Sequence, residues 1–179
     1  GAEGAVVERD VSGGAAHLWD CIPSKTMIAT GGAISFMRRS EGMGLAHEDP
    51  AIDTDALTSR IDAIKDRMAG NTTQLLESQH VRLLRGSGRF VSPNAVEVTT
   101  DAGVELIEFD SALVATGSRP RIPEWCQPDG ERILTTRDCY PPTVFPKSVT
   151  VVGSGVTGVE FVHMFSSLGA EVTLVVSRQ

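Results

Sequence analysis

Residues 151–160 read VVGSGVTGVE, and the segments on either side of them decide the fold. An apolar run, SVTVV at 148–152, leads in; an apolar helical pattern follows, and LGAEVTLVVSRQ at 168–179 closes with a second strand. Gly153, Gly155 and Gly158 fit G-x-G-x-x-G inside this strand–loop–helix–strand context. The first glycine permits the tight turn, the second lets a pyrophosphate approach the backbone, and the third lets helix pack on strand. The helix N-terminus adds N–H donors and a positive dipole end. The stretch therefore predicts a dinucleotide-binding βαβ unit rather than a merely tight turn.

In such a unit the second strand usually ends in an acid that binds the adenosine ribose hydroxyls. Here Val176, Ser177 and Arg178 stand at that place. No carboxylate is present to repel a 2′-phosphate, and Arg178 can pair with one, which favours NADP(H) or relaxed selectivity. The plain alternative is a solvated surface arginine. The other end of the chain echoes this segment: GAEGAVVERD at 1–10 resembles LGAEVTLVVSRQ. Two copies of one βαβ unit give that echo if the first lacks its opening strand, loop and helix. By the same logic Glu8, closing the first strand, would hold a ribose of a second dinucleotide; alone it is an ordinary exposed glutamate.

Between these ends the pattern changes three times. Residues 24–37 favour helix, although TGG at 30–32 weakens its middle. Residues 53–79 give the clearest helical period, with Leu57, Ile61, Ile64, Met68, Leu75 and Leu76 on one face and Asp53 or Thr54 as cap. VRLLRGSGRFV, AVEVTT, VELIEFD and SALVATG then read as short strands separated by turn residues, with a small antiparallel β-meander among them. The proline-rich stretch 120–146 reads as an irregular crossing between domains.

The bulk properties set limits on these readings. The chain has 179 residues, room for one ordinary domain or parts of two, and a net charge of −7. That balance argues against nonspecific nucleic-acid binding. No apolar run approaches the roughly 18–20 residues that cross a bilayer, and no secretory signal pattern opens the chain. Three scattered cysteines, Cys21, Cys126 and Cys139, suit neither a disulfide framework nor a zinc site, so a reducing cytoplasm is expected. The four histidines show no metal spacing. Both ends fall inside the architecture, and a fragment is expected, poorly soluble and inactive by itself.

GGAAHLWDCIPSK at 13–25, with ATGSRP at 115–120 and GSGVTGVE at 153–160 following in that order, resembles the flavoprotein disulfide reductases. The resemblance runs through nearly all of the chain. It implies an α/β, Rossmann-like fold with two dinucleotide-binding domains. Residues 1–147 would be a partial FAD-binding domain and 148–179 the start of an NAD(P)-binding domain. It implies FAD and NAD(P)H as cofactors and a homodimer for the full-length protein. Glu8 would bind the FAD ribose, Gly13 and Gly14 its pyrophosphate, the backbone at Ser87 and Gly88 the adenine, and Thr116–Gly117 the cofactor again.

The family pattern is GG-x-C-x-x-x-x-C-x-P-S-K. Its second cysteine is Cys21, which would lie against the flavin; its first, which attacks the substrate disulfide, is Ala16 here. The usual thiol–disulfide relay is thereby removed. AHLWDC in this place looks most like the lipoamide-dehydrogenase-like NAD(P)H:quinone reductases of bacteria. That likeness implies hydride transfer from NAD(P)H to FAD and onward delivery to a quinone-type small molecule. The alternatives are a soluble transhydrogenase-like flavoprotein, a dihydrolipoyl dehydrogenase, and a noncatalytic FAD-binding module. The resemblance also implies an ion pair of Lys25 and Glu160 beside the flavin, against the plain reading of two solvent-facing residues at helix starts. Val156 stands where several relatives place an aromatic gate over the flavin.

Overall fold

The computed structural model describes residues 3–176. They group into two compact units, residues 3–18 with 65–119, and residues 19–64 with 120–176.

In the first unit, β1 (Ala5–Glu8) pairs in parallel with the start of β2 (Arg82–Ser92). From there β2, β3 (Ala95–Thr100) and β4 (Gly103–Glu108) form the antiparallel meander, so the sheet order is β1-β2-β3-β4. Val98 and Leu84 point into its core. Gly86 is required for the close β2–β3 approach, since a Cβ there would stand 2.2 Å from the Thr99 carbonyl oxygen. The expected strand at SALVATG is absent: residues 111–117 are irregular and exposed, with Leu113 93% exposed. A strand is stable only when its N–H and C=O groups meet a ladder partner, and no described strand pairs with this segment.

Among the described residues the second unit carries three α-helices, one of which it shares with the first. α1 (Ile22–Arg39) begins two residues earlier than the sequence pattern indicates. It is preceded by a π-helical turn over Ala16–Cys21, which the local sequence does not announce. α2 (Thr54–Ser78) starts in this unit and runs on into the first. Asp53 Oδ1 accepts from the Ala56 N–H at 2.9 Å, the expected cap. Of its apolar face, Leu57 and Ile61 are buried while Leu75 is exposed. β5 (Ser148–Val152), α3 (Val156–Ser167) and β6 (Glu171–Val175) form the parallel βαβ unit, with Val152 opposite Val175. Met27, Ile34 and Ile61 pack with Phe161, Met164 and Phe165 in its core.

Gly31 shows why TGG is tolerated in the middle of α1. A Cβ there would lie 2.6 Å from the Ser167 Cβ, so α1 and α3 cross at this glycine. Gly32, one residue on, faces open space. In the full-length protein Gly31→Ala is expected to destabilise by about 1–3 kcal/mol through overpacking. Gly32→Ala is expected to stabilise by about 0.5–1 kcal/mol through lower chain entropy. Thermal midpoints moving in opposite directions would bear out this crossing; two equal shifts would refute it.

Candidate functional site

Cys21, Ser24 and Lys25 come from the junction of the π-helical turn and α1. Glu160 comes from the second turn of α3, within the same unit. The helix crossing at Gly31 brings these segments side by side, and Lys25 Nζ donates to Glu160 Oε1. The two side chains are 56% and 30% exposed, so the pair opens on one side. They are partners rather than independent residues at helix starts. Between them lies Ser24, which the sequence reading passes over. It is 1% exposed, with Oγ 3.1 Å from the Cys21 carbonyl oxygen and 3.3 Å from Glu160 Oε2. The Cys21 thiol is free and exposed.

Tyr140 was also missed, because it lies in the irregular CYPP segment where no periodicity marks it. Its ring packs on Phe161, centroids 5.2 Å apart. Burial raises its hydroxyl pKa above the ordinary tyrosine value, and the charges of Asp20, Cys139, Glu160 and Cys21 add to the effect. A neutral phenol therefore stands within electrostatic reach of Cys21 and Glu160. Cys139 is buried and its thiol is pushed up to about 12, first by desolvation and then by Asp138. Such a thiol is a poor nucleophile. Cys126 is half-buried and free. Among the described residues, no group of three or more His, Cys, Asp and Glu is placed to hold a metal ion.

The three glycines of the βαβ loop have different surroundings. Gly153 has φ +110°, the turn that glycine permits, and its N–H donates to the Val175 carbonyl at 3.0 Å. Gly155 caps α3 in an extended conformation with no side-chain cap. A Cβ at Gly155 meets nothing within 4 Å. The N-terminus of α3, with its first-turn N–H groups uncapped by a side chain, is thus open to the approach of a phosphate. At Gly158 a Cβ would stand 2.0 Å from the Gly153 carbonyl oxygen, so this glycine sets the packing of helix on loop. Val156 is 82% exposed beside the loop. Ser177 and Arg178, on which the 2′-phosphate reading rests, lie outside the described residues.

In the first unit Glu8 ends β1, and its Oε1 accepts from the Asp10 N–H at 2.8 Å. That hydrogen bond fixes the carboxylate and leaves Oε2 as an acceptor. Gly13 and Gly14 follow with φ +108° and +86°. A Cβ at Gly13 would press on Leu18 and Thr72 at 3.3 Å, whereas Gly14 faces open space. Ser12, just before them, is buried, and its Oγ has no hydrogen-bond partner among the described residues. A buried hydroxyl left unsatisfied costs about 1–3 kcal/mol. An orphaned hydroxyl, an open glycine and an oriented carboxylate together fit a dinucleotide such as FAD.

Ser87 and Gly88 lie in the middle of β2, opposite Thr99 and Val98. The pairing with β1 ends at Arg85, so on that edge Ser87 and Gly88 have no described strand partner. Gly88 also lets Val96 and Val7 pack closely, at 3.2 and 3.6 Å from where its Cβ would be. Thr116 and Gly117 sit in the exposed irregular segment, Gly117 with φ +71°.

Two folded units with these glycine loops define a dinucleotide-binding α/β protein, and comparison with known proteins narrows the class. The pyridine nucleotide-disulphide oxidoreductase family matches residues 1–179. The chain belongs to that family, and membership implies FAD and NAD(P)H as cofactors. It is 38% identical to an NAD(P)H dehydrogenase (quinone) of Mycobacterium tuberculosis, over 97% of this chain and 37% of that one. It is 36% identical to dihydrolipoyl dehydrogenase 2 of Haloarcula marismortui, over 98% and 38%. The crystal structure of LpdA from Mycobacterium tuberculosis superposes with a TM-score of 0.90 at 37% identity, covering 99% of this chain and 39% of LpdA. The chain therefore spans less than two-fifths of the length of these relatives. No helix among the described residues is long and apolar enough to cross a membrane.

Proposed function

We propose that the full-length protein is an NAD(P)H-dependent flavin oxidoreductase that delivers electrons to a quinone-type acceptor without a redox disulfide. One observation carries this reading: residue 16 is alanine, while Cys21 stands free next to the Lys25–Glu160 pair. A relay through sulfur needs two thiols within bonding reach. Cys139 is buried and unreactive in character, and Cys126 lies in the irregular segment after Pro120. The similarity to a mycobacterial NAD(P)H dehydrogenase (quinone) supports the same reading.

When bound, the flavin supplies the two-electron chemistry, and the protein's part is to hold and tune it. Glu8, Ser12, Gly13 and Gly14 would hold the FAD phosphates and ribose, with Ser87, Gly88, Thr116 and Gly117 at its further parts. Gly153, Gly155 and the N-terminus of α3 would hold the nicotinamide dinucleotide. Lys25 provides a cation that Glu160 keeps in place, and a fixed cation favours extra negative charge beside it. Val156, where several relatives place an aromatic gate, carries no ring and would leave the approach of the nicotinamide less obstructed. Residues 1–147 act as the FAD side and 148–179 as the start of the NAD(P) side, the whole protein being a homodimer. The 179-residue chain alone is expected to be inactive and poorly soluble, with Trp125, Val144 and Leu113 all exposed.

The deciding experiment is steady-state oxidation of NADH and NADPH by the full-length protein with different acceptors. A menadione-type quinone is expected to support turnover, and lipoamide is expected to support none. Efficient lipoamide reduction would establish a dihydrolipoyl dehydrogenase instead. Preference for a thio-nicotinamide acceptor would establish a transhydrogenase, and no reduction of the flavin by either nucleotide a noncatalytic module.

A further inference from the structure

We propose that Ser24 is a positioning residue of this site: its hydroxyl holds the second oxygen of Glu160, so that Lys25 presents its ammonium in one place. The inference rests on the reading that Lys25 and Glu160 face the flavin. Glu160 has two carboxylate oxygens, and they are used differently. Oε1 takes Lys25, and Oε2 lies 3.3 Å from Ser24 Oγ. Two contacts in different directions restrict the rotation of the carboxylate that a single ion pair leaves free. That matters here because Lys25 is 56% exposed, and an exposed lysine pair by itself is held weakly.

Ser24 is suited to this task by its own surroundings. It is 1% exposed, on the first turn of α1, while Glu160 sits on α3. Its hydroxyl has one hydrogen and two acceptors in range, Glu160 Oε2 and the Cys21 carbonyl oxygen at 3.1 Å. Lys25 Nζ is 3.5 Å away on the lone-pair side. One buried hydroxyl thus touches the backbone of the free cysteine, the carboxylate and the ammonium. Alanine at this position would leave Glu160 Oε2 without its partner and let the pair swing outward.

The test is the midpoint potential of the flavin in the full-length holoprotein, set by anaerobic equilibration with a reference dye and a reductant other than NAD(P)H. Variants are Ser24→Ala, Glu160→Gln and the two combined. Ser40→Ala is the control, an equally buried serine whose Oγ donates to the Met37 carbonyl away from the site. Ser24→Ala is expected to shift the reduction equilibrium about tenfold toward the oxidised form, about 30 mV for a two-electron couple. Little further shift is expected once Glu160→Gln is present. Ser24→Cys, which keeps the volume and a weaker donor, is expected to fall between alanine and wild type. Ser40→Ala is expected to lower the thermal midpoint and leave the potential unmoved. An unshifted potential in Ser24→Ala, or shifts that simply add in the double variant, would overturn the proposal. Failure of NAD(P)H to reduce the wild-type flavin would overturn the functional reading instead, and this potential cycle would still decide the role of Ser24.

Discussion

Replacement of Lys25 by methionine in the full-length protein is expected to slow reduction of the bound flavin by NAD(P)H about 10²–10³-fold, the usual cost of deleting one preorganised electrostatic donor. Methionine keeps most of the unbranched stem, so the packing around Pro23 and Ser24, both buried on α1, should survive. What disappears is the cation that pairs with Glu160 across the α1–α3 crossing. Glu160→Gln should cost less, since it removes the counter-charge but leaves the ammonium of Lys25 itself in place. Stopped-flow absorbance of the flavin reads the reductive step directly. A Lys25→Met protein that loads FAD and is reduced at the wild-type rate would show that the pair is a surface salt bridge with no bearing on the chemistry.

The second large effect is expected at Gly158, and it is structural before it is functional. A methyl group there would sit 2.0 Å from the Gly153 carbonyl oxygen, closer than any relaxed contact, and the opposing group is backbone, so no side chain can rotate away. Gly158→Ala should therefore destabilise by about 3 kcal/mol or more and lose NAD(P)H binding with it. Gly155→Ala separates the two roles. Its φ is −67° and its surroundings are open, so folding should be untouched. Its new methyl would nonetheless stand where a pyrophosphate must approach, and NAD(P)H affinity should fall. Thermal unfolding and nucleotide titration of the two variants, side by side, check this. Equal loss of stability in both would contradict the division of labour among the three glycines.

Much of the architecture was legible because it is carried by short-range pattern. The βαβ unit of 148–175 follows from glycine spacing between apolar runs, and α2 follows from a clean helical period with Asp53 as its cap. The β2–β3–β4 meander follows from alternation and turn residues. The failures share one physical cause, dependence on groups distant in sequence. SALVATG has strand composition, but a strand needs a partner, and none of the described strands supplies one. The glycines of α1 weaken it as an isolated helix; Gly31 is there because Ser167 approaches within what would be 2.6 Å of its Cβ. The π-helical turn over Ala16–Cys21 has no sequence signature of its own.

The site divides in the same way. Lys25 and Glu160, 135 residues apart, were paired only through family resemblance, because nothing local links them. Ser24 and Tyr140 escaped notice since a serine near a helix start and a tyrosine in a proline-rich loop are ordinary until α3 is placed against them. Ser12 is visible only as an orphaned buried hydroxyl, a property of the folded chain. Arg178 was the sequence argument for NADP(H), and it lies outside the described residues; the choice between the nucleotides passes to the kinetic comparison.

On the proposed reading electrons leave the bound flavin without a sulfur relay, because residue 16 is alanine and Cys21 is a free thiol. Anaerobic titration of the full-length holoprotein with NAD(P)H counts the electrons that it accepts. Two electrons per flavin, with a single endpoint, is the predicted result. Uptake of four per flavin would reveal a second redox pair in sulfur and contradict the account.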